Sequence, residues 1–151
     1  MPLFTRSTRV SATPEELYRF HENPHNLRLI SPPGLRILEI KANEAAKPGE
    51  EFSIAVRQGP FTLRWTGRWE TAEGPRLLVD TGVKCPFAQW HHHHLFEPHP
   101  EGALLTDRVE FRLPWHLGGP AGDVFCRMVV FPRMFEARHA ATRRRFAATP
   151  S

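Results

Sequence analysis

From Phe61 to Glu70 the chain alternates without a break: Phe61, Leu63, Trp65, Gly67 and Trp69 are separated by Thr62, Arg64, Thr66, Arg68 and Glu70. Successive side chains of a strand point to opposite faces, so this period of two describes a strand with one buried and one wet face. Such a strand needs a sheet to join, and the sequence around it supplies one. Residues 35–42, 50–58, 61–71, 76–83, 89–97 and 103–113 each carry β-branched or aromatic residues between turn signals, and residues 3–10 form an earlier run of the same kind. Connections such as Gln58-Gly59-Pro60 and residues 98–102 are short enough for hairpins, which makes the strands antiparallel.

Two short helices and one long one complete the pattern. Thr13, Pro14 and Glu16 read as a capping threonine, a first-turn proline and the glutamate that closes a capping box. Leu17 and Phe20 give this helix a short apolar stripe, which Asn23-Pro24 ends. A second helical turn is expected over residues 24–30, capped by Asn23 and stopped by Ser31-Pro32-Pro33. Between Gly122 and Phe146 the period becomes helical: Val124, Met128, Phe131, Phe135 and Phe146 fall on one stripe with His139 and Thr142. Asp123 near the start and arginines near the end suit the helix dipole, and Pro132 is expected to kink or break the helix. The expected fold class is α+β, a curved antiparallel sheet of about seven strands around a long C-terminal helix, with two short helices after strand one. Residues 1–151 show no repeat or linker and read as one domain.

Composition narrows the class. Hydrophobic residues make up 40% and charged residues 24%, the balance of a folded chain, and the four Trp and eleven Phe need a core. No run approaches the ~20 apolar residues of a membrane span, and the start, MPLFTRSTRV, lacks the apolar segment of a secretory signal. Two cysteines, Cys85 and Cys126, are too few for a disulfide framework and favour the cytoplasm; Cys126 is expected to be buried and inert. The net charge of +4 comes largely from Arg127, Arg133, Arg138, Arg143, Arg144 and Arg145. This run reads as a solvated helix face, and with no nucleic-acid motif it names no such partner. A partner-binding helix is the competing reading of the same arginines.

The order of elements, together with several motifs, resembles the SRPBCC superfamily, whose helix-grip fold is shared by START lipid-binding domains, pollen allergens and polyketide cyclases. More narrowly it is similar to the bacterial ligand-binding SRPBCC group. The matching pieces are Ser31-Pro32-Pro33, Pro86-Phe87-Ala88, Trp90-x-His92-x-His94-x-Phe96, residues 107–111 (Asp-Arg-Val-Glu-Phe) and Arg138-His139. The similarity runs over nearly the whole chain. It implies an interior cavity for a small hydrophobic molecule and, for the narrower group, no defined reaction. One departure is His91 and His93, at positions the family commonly fills with charged residues.

The run His91–His94 carries the polar chemistry. On a strand, Trp90, His92, His94 and Phe96 share one face and His91, His93 and Leu95 the other. The aromatics place His92 and His94 inward. A turn centred near Pro100-Glu101 sets His94 opposite Asp107, His92 opposite Val109 and Phe96 opposite Leu105, so Asp107 becomes an inward carboxylate beside His94; a slip of two residues pairs it with His92 instead. Arg64 or His139 can approach from elsewhere.

Three uses compete for the couple: a self-satisfied buried pair, the polar end of a ligand pocket, and an acid–base couple of the cyclase or dehydratase kind. A zinc ion held by His92, His94 and Asp107 is a further option, but no four-ligand set is visible, and neither a cofactor nor a resident metal is expected. The outer His91 and His93, with His99, can take up metal adventitiously. The expected apolar lining is Trp65, Trp69, Trp90, Phe96, Phe111, Met128, Phe131 and Phe135, with His92, His94, Asp107 and His139 at the polar end. Trp115 and His116, in a Gly/Pro loop, either gate the pocket or pin the loop. The function expected is non-enzymatic binding of a small hydrophobic ligand, a lipid, isoprenoid or polyketide-like molecule.

Overall fold

The computed structural model describes residues 2–147. Its strands are β1 (Leu3–Val10), β2 (Leu35–Lys41), β3 (Glu51–Gln58), β4 (Phe61–Glu73), β5 (Leu77–Lys84), β6 (Gln89–His99) and β7 (Gly102–Arg112). They form one antiparallel sheet in the order β1-β7-β6-β5-β4-β3-β2. Consecutive strands are neighbours from β2 to β7, while β1 lies beyond β7 at the far edge. The chain between β1 and β2 must therefore cross the sheet, and it does so as α1 (Pro14–His21), a 3-10 turn (Pro24–Asn26) and α2 (Leu27–Ile30). The capping box is present: Thr13 Oγ1 accepts from the Glu16 N–H at 3.1 Å, and Glu16 Oε1 accepts from the Thr13 N–H at 3.4 Å. Leu17 and Phe20 are buried, as their spacing requires.

The sheet is bent where β4 meets β5. Two register shifts curl the pair, one with Val83 of β5 as the extra residue and one with Glu70 of β4, and Gly67 faces Gly82 across it. A Cβ at Gly67 would stand 2.5 Å from Phe52 Cζ, so the missing side chain lets Phe52 lie across the bend. Phe61 and Leu63, on the face expected to be buried, are 77% and 39% exposed. They sit at the β3–β4 hairpin tip, where alternation persists but no helix is present to cover it.

A 27-residue C-terminal helix lies in the concavity, giving the α+β helix-grip arrangement. It runs as α3 (Gly119–Phe125), a π-turn (Cys126–Val130) and α4 (Phe131–Arg145). The expected kink at Pro132 takes this form: the wide turn just upstream accommodates a proline that cannot donate a hydrogen bond and would crowd the carbonyl four residues back. The π-turn also corrects the expected stripe. It rotates the helix so that Asp123 and Phe131 both face the sheet, which leaves Val124 48% and Met128 67% exposed. Asp123 Oδ1 accepts from the Leu113 N–H at 2.7 Å. Cys126, expected to be buried, is only half-buried, and burial still pushes its thiol upward. No helix among the described residues is long and apolar enough to cross a membrane.

Phe131 and Phe135 meet Phe4, Val109 and Phe111 in a dry aromatic core; the Phe111 and Phe131 rings are 4.7 Å apart, edge to face. The main helix–sheet contacts fall on β1, β6 and β7. Strands β2 to β4 arch away from the helix.

Candidate functional site

That arch leaves a cavity of about 290 Å³ between sheet and helices. Trp65, Trp69, Phe52, Ile54 and Val56 line it from the bent strands, Phe20, Leu27 and Ile30 from the short helices, and Met134 from α4. Its inner end is polar. Asp80 on β5, His92 and His94 on β6, Asp107 on β7, His21 at the end of α1, and Arg138 and His139 on α4 converge there.

The β6–β7 register is the one expected from the sequence: His94 opposite Asp107, His92 opposite Val109 and Phe96 opposite Leu105. The hydrogen bonds, however, run on the diagonal. His92 Nε2 donates to Asp107 Oδ1 at 2.7 Å, and the other carboxylate oxygen accepts from His139 Nε2 at 2.5 Å. His94, directly opposite Asp107, instead pairs with Asp80 Oδ2 at 2.9 Å, although Asp80 lies opposite His92. The pairs therefore cross. The His92 and His94 rings stack with centroids 3.8 Å apart, and Trp90 Nε1 donates to Asp80 Oδ1 at 3.3 Å.

This packing sets the charges. Burial alone would raise the Asp107 carboxyl, but hydrogen bonds from His139 and His92 overturn that and hold it well below the usual carboxylate range. Asp80 is likewise lowered, with burial opposed by the His94 hydrogen bond and by His92. His92 is lowered mainly by burial and then by neighbouring His94, so it is held neutral despite Asp107. His21 is pushed down to about 4 by burial and by His94; its Nδ1 donates to the Leu17 carbonyl at 2.7 Å.

Among the described residues, Arg138 is the sole lysine or arginine lining the cavity. Burial lowers its pKa, yet a guanidinium stays protonated. It makes no salt bridge among the described residues, and its buried Nε has no hydrogen-bond partner. The side chain packs with its guanidinium carbon 5.5 Å from the Phe135 ring centre.

Of the residues expected at the site, Trp65, Trp69, Trp90, His92, His94, Asp107 and His139 line the cavity. Phe96, Phe111, Phe131 and Phe135 do not: they are almost wholly enclosed by other side chains and form core, the last three where the long helix presses on the sheet and Phe96 beneath Tyr18 and His21 of α1. Met128 is turned to solvent by the π-turn, and Met134 takes the lining place. Arg64 lies on the outer face in a shallow groove with Glu39, away from the couple. Trp115 is 87% exposed and lines no part of the cavity.

Three titratable residues line the cavity without having been expected there, beside apolar ones such as Ile54, Val56 and Met134. Asp80 interrupts an apolar strand, and a lone carboxylate there was the available signal. His21 follows Phe20 on the Leu17 stripe at helical spacing. Arg138 lies in a run of arginines whose other members suit a solvated face, and its signal is its place beside His139 on the inward stripe.

No protein-family model and no curated protein matches the chain. Solved structures do. One domain's length of StfQ, a di-domain ARO/CYC protein from the steffimycin biosynthetic pathway, superposes with a TM-score of 0.78 at 13% identity, over 97% of this chain and 50% of that one. A Rhodobacter sphaeroides protein matches with a TM-score of 0.77 at 18% identity, over 99% and 94% of the two chains. CV1439 from Chromobacterium violaceum gives 0.74 at 16%, over 97% and 99%. At these identities the likeness establishes a shared fold.

Proposed function

We propose that this chain binds a small, largely apolar molecule with an acidic or carbonyl end, held in the cavity between the bent strands and the helices. One observation carries the reading: an apolar cavity of about 290 Å³, near the lower bound of ordinary ligand sites, ends in a preformed polar cluster. Trp65, Trp69, Ile54 and Val56 provide the apolar walls. Arg138 offers a buried guanidinium with no carboxylate within salt-bridge distance among the described residues and an Nε without a partner, so an acidic or carbonyl head that accepts its hydrogen bonds is the guest chemistry that suits it. A short fatty acid, an isoprenoid acid or a polyketide-like phenolic acid has this form.

A second reading, a cyclase- or dehydratase-type enzyme, is favoured by a different detail. His92 is held neutral, its Nε2 is anchored on Asp107, and its Nδ1 has no partner within hydrogen-bond distance, the nearest carboxylate oxygen being 3.8 Å away on Asp80. A base so oriented can take a proton from a substrate in the cavity.

Native mass spectrometry of untagged protein from a cell extract, beside its denatured mass, tests the first reading. An organic mass that leaves on denaturation is the expected result. A protein that stays without ligand, and whose tryptophan emission is unmoved by apolar acids, alcohols and hydrocarbons of this size, would refute it. Turnover of a bound acid that stops in His92→Gln would move the assignment to the second reading.

A further inference from the structure

We propose that Asp80, His92 and His94 form a three-ligand site for a divalent transition-metal ion of the zinc type, with its remaining position open to the cavity. The inference stands on the arrangement of these side chains and does not depend on the identity of any organic guest.

The sheet builds the set. His92 and His94 project from one face of β6 because they are two residues apart, and Asp80 lies opposite His92 on β5. One ligand atom from each residue lies within 4.8 Å of the other two. Asp80 Oδ2 is 2.9 Å from His94 Nε2 and 3.8 Å from His92 Nδ1. Ligand atoms about 2.0–2.1 Å from a tetrahedral ion stand about 3.3 Å apart, a value that the two Asp80 spacings bracket, and the stacked His92 and His94 rings would turn apart to bring both lone pairs onto the ion. Two imidazoles and one carboxylate suit zinc and its first-row neighbours rather than calcium or magnesium, which prefer all-oxygen sites.

The outer partners point the lone pairs the right way. Asp107 Oδ1 lies 2.7 Å from His92 Nε2 and 3.4 Å from His94 Nδ1. These are the nitrogens that face away from Asp80, and a carboxylate accepting there leaves His92 Nδ1 and His94 Nε2 free to ligate. His139 in turn donates to the second oxygen of Asp107. Without an ion, the N–H on His94 Nε2 is given to Asp80, and the buried Nδ1 has no hydrogen-bond partner. An ion on Nε2 moves that proton to Nδ1, facing Asp107. The charge balance agrees: two carboxylates line the cavity with a single guanidinium, and buried charges are normally paired or bound to metal. Asp80 thus takes the place that the sequence offered to Asp107, which becomes a positioning residue.

The experiment uses untagged, chelator-treated full-length protein, titrated with Zn²⁺ against a chromophoric competitor and, in parallel, with Co²⁺ under a visible spectrum. His91→Asn with His93→Asn removes the adventitious outer pair and is expected to leave one equivalent bound, with four-coordinate cobalt bands intact. Asp107→Asn is expected to weaken the ion by about 10–100-fold, the cost of losing an outer partner. Asp80→Asn and His94→Gln are expected to weaken it by more than about 100-fold. Loss of binding in the His91/His93 variant, or unchanged binding in folded Asp80→Asn, would overturn the site. Should Asp80→Asn fail to fold, absence of four-coordinate cobalt bands in the His91/His93 variant would overturn it as well. None of these readings needs an organic guest, so a failed metal site leaves the cavity proposal to its own test.

Discussion

The concave face of the sheet has two halves, and the C-terminal helix treats them differently. Over β1, β7 and β6 it presses Phe131 and Phe135 onto Phe4, Val109 and Phe111, leaving a dry aromatic core. Over β2, β3 and β4 the strands bend away at Gly67 and Gly82, and the side chains there face open space instead of a helix. The polar cluster occupies the seam. Packing on one side fixes its rotamers and strips it of water, while the cavity on the other gives it access. Titratable groups in the dry half would be inert, and those on the outer face, such as His91 with its side chain 42% exposed, are open to solvent. A seam position gives both preorganisation and reach.

The largest expected effect comes from breaking the dry half. Phe135→Ala should cost about 3–5 kcal/mol in urea unfolding, because a well-packed ring leaves a cavity that its neighbours cannot fill. Ile54→Ala, on the open half, should cost only about 1–2 kcal/mol, since that wall already lacks packing partners on one side. Equal losses would show that the halves are packed alike.

Arg138→Met sharpens the seam. Calorimetry should find affinity for an apolar carboxylic acid reduced about 10–100-fold, with the matching alcohol changed little, as expected for loss of a charge-assisted contact. An equal loss for both would assign Arg138 to packing.

Acid should weaken the fold by way of the same seam. His21 faces His94 and Asp107 from the sheet and Arg138 from α4, and it titrates near 4 in the fold against 6.5 for a free imidazole. Between those values the unfolded chain binds more protons, so stability falls as pH drops through the window; Asp80 and Asp107, also lowered, extend the loss further down with the same sign. About 1–2 kcal/mol should be lost between pH 7.5 and 5 in denaturant titrations, and His21→Asn should reduce the slope, leaving the share of His92, which burial also lowers. A slope unchanged by that substitution would remove His21 from the account.

What the sequence made legible were the features written in short-range pattern. The capping box at Thr13, the alternation of β6, and the hairpin register that sets His94 opposite Asp107 all depend on neighbours a few residues apart. What it hid depended on rotations and on distant strands. A single π-turn swung Met128 out to solvent, and one bulge in β4 with one in β5 fixed how the two strands meet. The diagonal choice of partners, His92 with Asp107 and His94 with Asp80, requires knowing that β5 lies on the other side of β6. Arg138 looked solvated because its neighbours in sequence are; only the helix's seat in the sheet turns it inward.

The central claim is that the open half is a ligand site, and calorimetric titration with a small aromatic carboxylic acid, run on the native chain beside Ile54→Trp, tests it most directly. The indole would fill the space between β3 and α4 without touching the polar cluster's strands. The expected result is saturable one-to-one binding to the native chain and none to the folded variant. Equal binding to both, or to neither across acids of this size, would contradict the account.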